Sequence, residues 1–329
     1  MIATMPGPTQ PRAFGERIDY AAVPPPVRAW VDSALGSPVV SAATQVGGMS
    51  PGPASRLELA DGRRFFVKTV GTSLNPDTPQ LFRRELDVLR LLPKVDYRPS
   101  LVTSYDDGDW VAIVLEDVDG RHPDLSDPAV MTEARRVVRR QSAELTPDPV
   151  RLAVPDVAAT ARRWHATIVG ADPGERRTLP DWWHAHETDL LRRITSLPDR
   201  LPPESWCHLD IRDDNLLLGT DGHVRVVDWG MARSGPQWVD EMLLALHHVE
   251  EPLFDEIVDD LPSYGGDSDR DRDETVTDLL LVLGMSLAVQ AHGPAPQGLP
   301  RLMSFRRGEA ARSSSARDGG SACEVVGRT

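Results

Sequence analysis

Between Cys207 and Gly230 the chain reads CHLDIRDDNLLLGTDGHVRVVDWG, and three of its side chains, Asp210, Asn215 and Asp228, have the types and spacing to hold a metal against phosphate. Asp221-Gly222 lies between two apolar runs, LLL and VRVV, the pattern of a two-residue hairpin turn. Centred there, the turn predicts Thr220 opposite His223, Leu218 opposite Arg225 and Asn215 opposite Asp228. Opposed residues of an antiparallel pair have Cβ atoms roughly 4.5 to 5.5 Å apart. Asn215 and Asp228 could therefore give oxygens to one small hard cation, and magnesium is the natural candidate. Asp210 adds a second carboxyl from a polar turn upstream, with Arg212 between it and Asn215.

Such a cluster needs a cation and a backbone cover, and the chain before it offers both. VVSAATQVGGMSPGPASRLELADGRRFFVKTV contains three strand-like runs, separated by the glycine-rich segment Gly47 to Gly52 and by Asp61-Gly62, which predicts an antiparallel meander. The glycines would let backbone N–H groups approach a phosphate, and Ser50 would add a side-chain donor, although a plain hairpin turn is the competing reading. Lys68 is expected at the end of the third strand, on the face of Arg64 and Phe66. The next helix, near Pro79 to Leu92, carries an apolar stripe of Leu81, Phe82, Val88, Leu89 and Leu92. Glu85 falls inside that stripe. A carboxylate on a burying face is costly unless a cation meets it, and Lys68 is the nearest upstream candidate.

H-x-D-x-x-x-x-N followed by D-x-G is the spacing of the catalytic loop and metal aspartate of kinases, here His208, Asp210, Asn215 and Asp228-Trp229-Gly230. The stretch resembles the aminoglycoside phosphotransferase family, the small-molecule branch of the kinase-like fold. The resemblance implies an α+β, protein-kinase-like two-lobe fold, with a small antiparallel β-sheet lobe carrying one helix and a larger, mainly helical lobe. It implies ATP and Mg2+ as cofactors, Lys68 on the α and β phosphates with Glu85 aiming it, and Asn215 and Asp228 on the metal. Asp210 would accept or orient the acceptor hydroxyl, Arg212 would touch the γ-phosphate, and His208 would buttress the loop. Adenine would meet backbone near Glu116 to Val118, where VAIVLEDV passes into a polar loop. Two departures stand out: Leu209 replaces the glycine common in the family, and Asp213 adds an acid beside Asp214.

The implied organisation is a disordered N-terminus over 1–15, a nucleotide-binding lobe over 16–118, a catalytic and acceptor-binding lobe over 119–307, and a disordered tail over 308–329. The triple proline at Pro24 to Pro26 predicts a short helix bearing Val27, Trp30, Val31 and Leu35, and a further hairpin turns at Asp107-Gly108-Asp109. Helical spacing recurs near 126–145, 155–169, 180–196 and from Trp238 to Val249. Trp182-Trp183 with His184 and His186 reads as core rather than a ligand wall, and the adjacent His247-His248 make a poor metal pair. The acidic run at 267–274 lacks the glycine and final glutamate of a calcium loop and reads as a solvated helix start.

The 329 residues are 40% hydrophobic and 26% charged, with a net charge of −14. That balance argues against nucleic acid as a partner. Two cysteines, Cys207 and Cys323, cannot build a disulfide framework. No signal peptide is visible, and the apolar run from Leu279 to Val289 is too short to cross a bilayer, so the expected location is the cytoplasm. The absence of a long segment or A-P-E motif after Asp228 points to a small acceptor rather than a polypeptide. In the family, acids at Asp255, Glu256, Asp259 and Asp260 would fall among acceptor-binding helices and could hold substrate ammonium groups. Three readings follow: a kinase of an aminoglycoside-like antibiotic, a metabolic kinase of a sugar, amino alcohol or amino acid, and a nucleotide-binding regulator without turnover. Intact Lys68, Asp210, Asn215 and Asp228 count against the last.

Overall fold

The computed structural model describes residues 15–148, 155–262 and 269–315. The expected disorder at 1–14 and 316–329, Cys323, and the start of the acidic run at 267–268 lie outside the described residues. The chain divides into two compact units. One takes the residues up to Val137 with Arg212–Gly230 and Pro296–Arg301; the other takes Val138–Ile211, Met231–Ala295 and the residues from Leu302 on.

The first unit opens with α1 (Pro25–Leu35), which starts directly after Pro24 with prolines in its first turn, where the missing N–H costs nothing. Strands β1 (Val39–Thr44), β2 (Ala54–Leu59) and β3 (Arg64–Gly71) form the expected meander. After α2 (Thr78–Leu91), the hairpin β4 (Leu101–Asp106) and β5 (Trp110–Glu116) joins through β5, giving the sheet order β1-β2-β3-β5-β4. Val27, Val31 and Leu35 of α1 pack with Leu57, Val67, Ala112 and Val114 of the sheet. By strand alternation Lys68 and Ile113 then point to the opposite face. The short strand β6 (Gly120–Arg121) and the helix α3 (Pro128–Glu144) follow.

Three helices come next, all in the second unit: α4 (Val157–Val169), capped by the Asp156 side chain on the Ala159 N–H at 2.7 Å, the single turn α5 (Pro173–Arg176), and α6 (Asp181–Ser196). Trp183 is fully buried in α6, as a core residue should be, while His184 is exposed. Strand β7 (Ser205–Cys207) leads into the motif stretch. Strands β8 (Leu216–Gly219) and β9 (Val224–Val226) belong to the first unit and pair with β6 in the order β6-β8-β9, whereas β10 (Arg233–Gly235) returns to pair with β7. The second unit closes with α7 (Val239–Ala245), α8 (Pro252–Asp259), α9 (Asp269–Gln290) and α10 (Leu302–Ser315).

The last helix corrects the expectation of a disordered tail from residue 308. α10 continues to Ser315 and packs on α9, with Ala310 and Ser313 buried. The aperiodic look of this segment reflects small residues rather than a lack of structure. A Cβ on Gly284 would come within 3.0 Å of the Ser313 Cβ, so close helix approach here rests on the smallest side chains. The apolar run of α9 is core, and among the described residues no helix is long and apolar enough to cross a membrane.

Candidate active site

Lys68 lies in mid-strand, not at the end of β3 as the sequence suggested, because β3 continues to Gly71 between β2 and β5. Its neighbours across the sheet are Ala54 and Ile113. From there the ammonium reaches α2, where Glu85 sits on the buried face with Phe82, Leu86 and Leu89. Leu81, counted in the stripe, is 42% exposed instead, and Leu86 takes its place. The Lys68 Nζ donates to Glu85 Oε2 at 2.7 Å and lies 3.0 Å from Asp228 Oδ1. Burial works against the Lys68 charge, yet the two carboxylates outweigh it and hold the ammonium above its ordinary range. One cation cannot satisfy two carboxylates equally, and burial pushes Glu85 up to about 7 while Lys68 pulls it down and Asp228 adds to the rise.

The hairpin that supplies Asn215 and Asp228 is one residue out of the expected register. Leu216 pairs with Val226, Leu217 with Arg225 and Leu218 with Val224, and the Val227 N–H donates to the Asn215 carbonyl at 3.0 Å. Asn215 therefore faces Val227, not Asp228. The loop holds three residues, Thr220 to Gly222, closed by the Gly219 N–H on the His223 carbonyl at 2.9 Å, with Gly222 at φ 80°. A one-residue slip would send the two side chains to opposite faces. Asp228 leaves the extended ladder with φ 68°, and both Asn215 and Asp228 border one cavity. The next residue, Trp229, is buried with the Arg98 guanidinium 5.4 Å over its ring.

That cavity, of about 540 Å³, lies within the first unit and is the size of a small-molecule site. Lys68, Asp214, Asn215 and Asp228 line it, and so do Glu116, Asp117 and Val118. The Glu116 carboxylate accepts the Ser100 N–H at 3.0 Å, so this side chain braces the strand end. The Val118 carbonyl accepts a hydrogen bond from Arg56, whose Nε is 2.9 Å from Asp117. Ser50 turns into its own loop, its hydroxyl accepting the Gly52 N–H at 3.3 Å, and it does not border the cavity. Arg17 does. It falls at the start of the expected nucleotide-binding lobe over 16–118, and no pattern in the sequence singled it out.

The model of the APH phosphotransferase enzyme family matches residues 52–275. The chain belongs to this family. This phosphotransferase accordingly acts on an alcohol group of a small molecule, and its α+β, kinase-like fold is the one expected. Among solved structures it is similar to the choline kinase LicA from Streptococcus pneumoniae, at 13% identity over 87% of this chain and 98% of that one, with a TM-score of 0.54. It is similar also to a putative fructosamine-3-kinase from Haemophilus somnus 129PT, at 12% identity, 86% and 96% coverage and a TM-score of 0.54. The ADP-bound aminoglycoside phosphotransferase APH(2'')-Ib gives 12% identity, 88% and 99% coverage and a TM-score of 0.55. Identities this low speak to the fold alone. No curated protein matches the sequence.

In the second unit of the phosphotransferase, a residue that the sequence reading missed organises the loop before Asp210. Asp240, in the first turn of α7, accepts the N–H of His208 at 2.7 Å and of Leu209 at 2.9 Å, and Gln141 donates to it at 3.1 Å. Burial drives its carboxyl up to about 6 against the pull of these donors. Leu209 stands at φ 61°, a left-handed conformation that suits glycine better than leucine. Asp210 follows, half-buried. Arg212 opens the return to the first unit and forms a bidentate pair with the buried Asp214, 2.9 Å at each contact. Among the described residues no group of three or more His, Cys, Asp and Glu could hold a metal. An Asn-plus-Asp pair is not such a group. Of the acids expected near the acceptor, Asp255, Glu256 and Asp259 are exposed, but Asp260 is tied to Arg139 at 2.8 Å.

Proposed function

We propose that this phosphotransferase moves the γ-phosphate of ATP to a hydroxyl of a small, amine-bearing molecule, with aminoglycoside-like compounds the first class to test. The observation that carries the reading is Lys68 fixed between Glu85 and Asp228 at the end of a cavity that Asn215 also borders. Lys68 would hold the nucleotide phosphates, and Glu85 aims it. Asn215 and Asp228 are the oxygen donors that suit magnesium. When bound, the ion would neutralise charge on the phosphates. The base would lie toward Glu116 to Val118.

Asp210 orients the acceptor hydroxyl and takes its proton. Little more is needed, since phosphoryl transfer gains chiefly from positioning and charge stabilisation. Asp240 fixes the backbone from which Asp210 projects. Arg212, engaged by Asp214, braces the segment leading to Asn215 rather than serving as a free phosphate ligand. Nucleotide binding is thus assigned to the first unit, acceptor binding to the second, and the exposed acids of α8 would favour a cationic acceptor. An enzyme that consumes ATP works where ATP is made available, in the cytoplasm.

The test is ATP consumption across a panel of hydroxyl compounds, with Asp210→Ala beside the wild type. Turnover with one acceptor class, lost in Asp210→Ala while ATP with magnesium still binds, is the expected result. Turnover that survives Asp210→Ala would overturn the assignment. Expression in a drug-sensitive bacterium separates the antibiotic reading from a metabolic one, since an antibiotic kinase must protect its host.

A further inference from the structure

We propose that Arg17 is a phosphate-binding residue of the nucleotide cavity, delivered by the segment before α1 through the glycine-rich loop between β1 and β2. This assignment deepens the ATP reading and rests on it. Gly15 donates its N–H to the Gly48 carbonyl at 2.7 Å, and the Ile18 N–H donates to the Pro51 carbonyl at 3.1 Å, so residues 15–18 run along the loop as a strap. Between these two anchors the Arg17 side chain enters the loop. Its Nε donates to the Gly47 carbonyl at 3.2 Å, its Nη1 to the carbonyls of Ser50 at 3.1 Å and Gly52 at 2.9 Å, and its Nη2 again to Gly47.

The donor count decides what is left over. A guanidinium has five N–H groups, and these contacts use four, leaving one on Nη2 without a partner among the described residues. Its acceptors are neutral carbonyls, and no carboxylate of a described residue lies within ion-pair distance. The positive charge is therefore not consumed by a direct ion pair. Loop carbonyls turned onto Arg17 are also a poor phosphate cover by themselves, and the guanidinium reverses that polarity.

The charge borders the same cavity as Lys68 and Asp228. Arg17 borders it together with Gly47, Gly48, Lys68 and Asp228. Burial lowers the Arg17 pKa, and Asp228 is the charged group that raises it again, so the guanidinium and the Asp228 carboxylate act on each other across this cavity. Gly48 stands at φ 71°, a conformation that suits glycine, and a Cβ there would lie 2.7 Å from Arg17 Nη2, so the guanidinium packs closely on this turn.

If Arg17 binds phosphate, its loss must scale with the number of phosphates on the ligand. Dissociation constants for ATP, ADP, AMP and adenosine are measured on wild type, Arg17→Ala and Arg17→Lys. Arg17→Ala is expected to weaken ATP roughly tenfold or more, as for a lost charge-assisted hydrogen bond, and to change adenosine by less than about twofold. Arg17→Lys, which keeps the charge but not the fork, should recover part of the ATP loss. An equal loss for adenosine and ATP would show that Arg17 only shapes the loop, and an unchanged ATP affinity would show that it does neither; both overturn the assignment. Wild type that binds none of the four would overturn the ATP reading itself, and the assignment with it.

Discussion

Leu209 and Asp228 are the two residues other than glycine that take left-handed φ angles in the described chain, at 61° and 68°, and they bracket the stretch that carries the chemistry. They reach the same backbone conformation by different means. Aspartate tolerates it, because its short polar side chain can bond locally, and here the carboxylate meets Lys68 at 3.0 Å. Leucine has no such compensation, and a strained residue of this kind costs of order 1–3 kcal/mol unless its surroundings hold it. Asp240 does so by accepting two successive N–H groups. On the proposed reading, the side chain is the functional part at Asp228 and the backbone turn aims it. At Leu209 that reading makes the backbone the functional part and the side chain incidental.

The largest effect should come from separating charge from backbone at Asp228. Asp228→Asn keeps the local tolerance for positive φ but removes the charge, and kcat is expected to fall by roughly 10³-fold or more. Steady-state kinetics retaining a tenth of wild-type turnover would mean that the turn, not the carboxylate, is what matters. The next effect is Asp240→Ala. Two buried N–H groups and the Gln141 amide lose their acceptor, and urea denaturation should show a loss of about 2–5 kcal/mol. Adding Leu209→Gly to that variant should restore about 1 kcal/mol, because the strain that Asp240 restrains is then gone; no recovery would uncouple the two positions.

A third effect is set by pH. The folded-state pKa of Asp240 is raised to about 6 from an ordinary 3.8, so the folded protein holds this proton more tightly than the unfolded chain. The corresponding stability is present in full below the unfolded value and is lost as pH rises through about 6. Wild type minus Asp240→Asn, followed by denaturation from pH 5 to pH 8, should therefore decline by about 1–2 kcal/mol. A flat or rising difference would show that the carboxyl is not held up. The smallest effect belongs to Leu209→Gly alone, where relief of strain and added unfolded-state freedom nearly cancel. Stability within about 1 kcal/mol of wild type and undiminished turnover are expected; a large loss would give the leucine side chain a role.

The same contrast explains what the sequence could disclose. Glu85 was legible because a single acid interrupts an apolar stripe, and Lys68 because it precedes that helix on an alternating strand. The strand reading still stopped β3 too early, since Thr69 and Val70 are buried on both faces and leave no alternation to follow. The hairpin was legible from Asp221-Gly222, but its register was not. A two-residue and a three-residue turn share that dipeptide, and only the bond from Gly219 to His223 distinguishes them. Asp240 and Arg17 were hidden for a common reason. Both act on backbone groups, which carry no sequence signature, and both come from segments distant in sequence from what they hold.

The central claim is that Lys68, locked by Glu85 and Asp228, is the phosphate end of a nucleotide site. Calorimetric titration of ATP with magnesium into wild type and Lys68→Ala tests it most directly. Binding by wild type that weakens at least about tenfold in Lys68→Ala, with adenosine affinity little changed, is the predicted result. Equal ATP affinity in the two proteins, or none in either, would contradict the account.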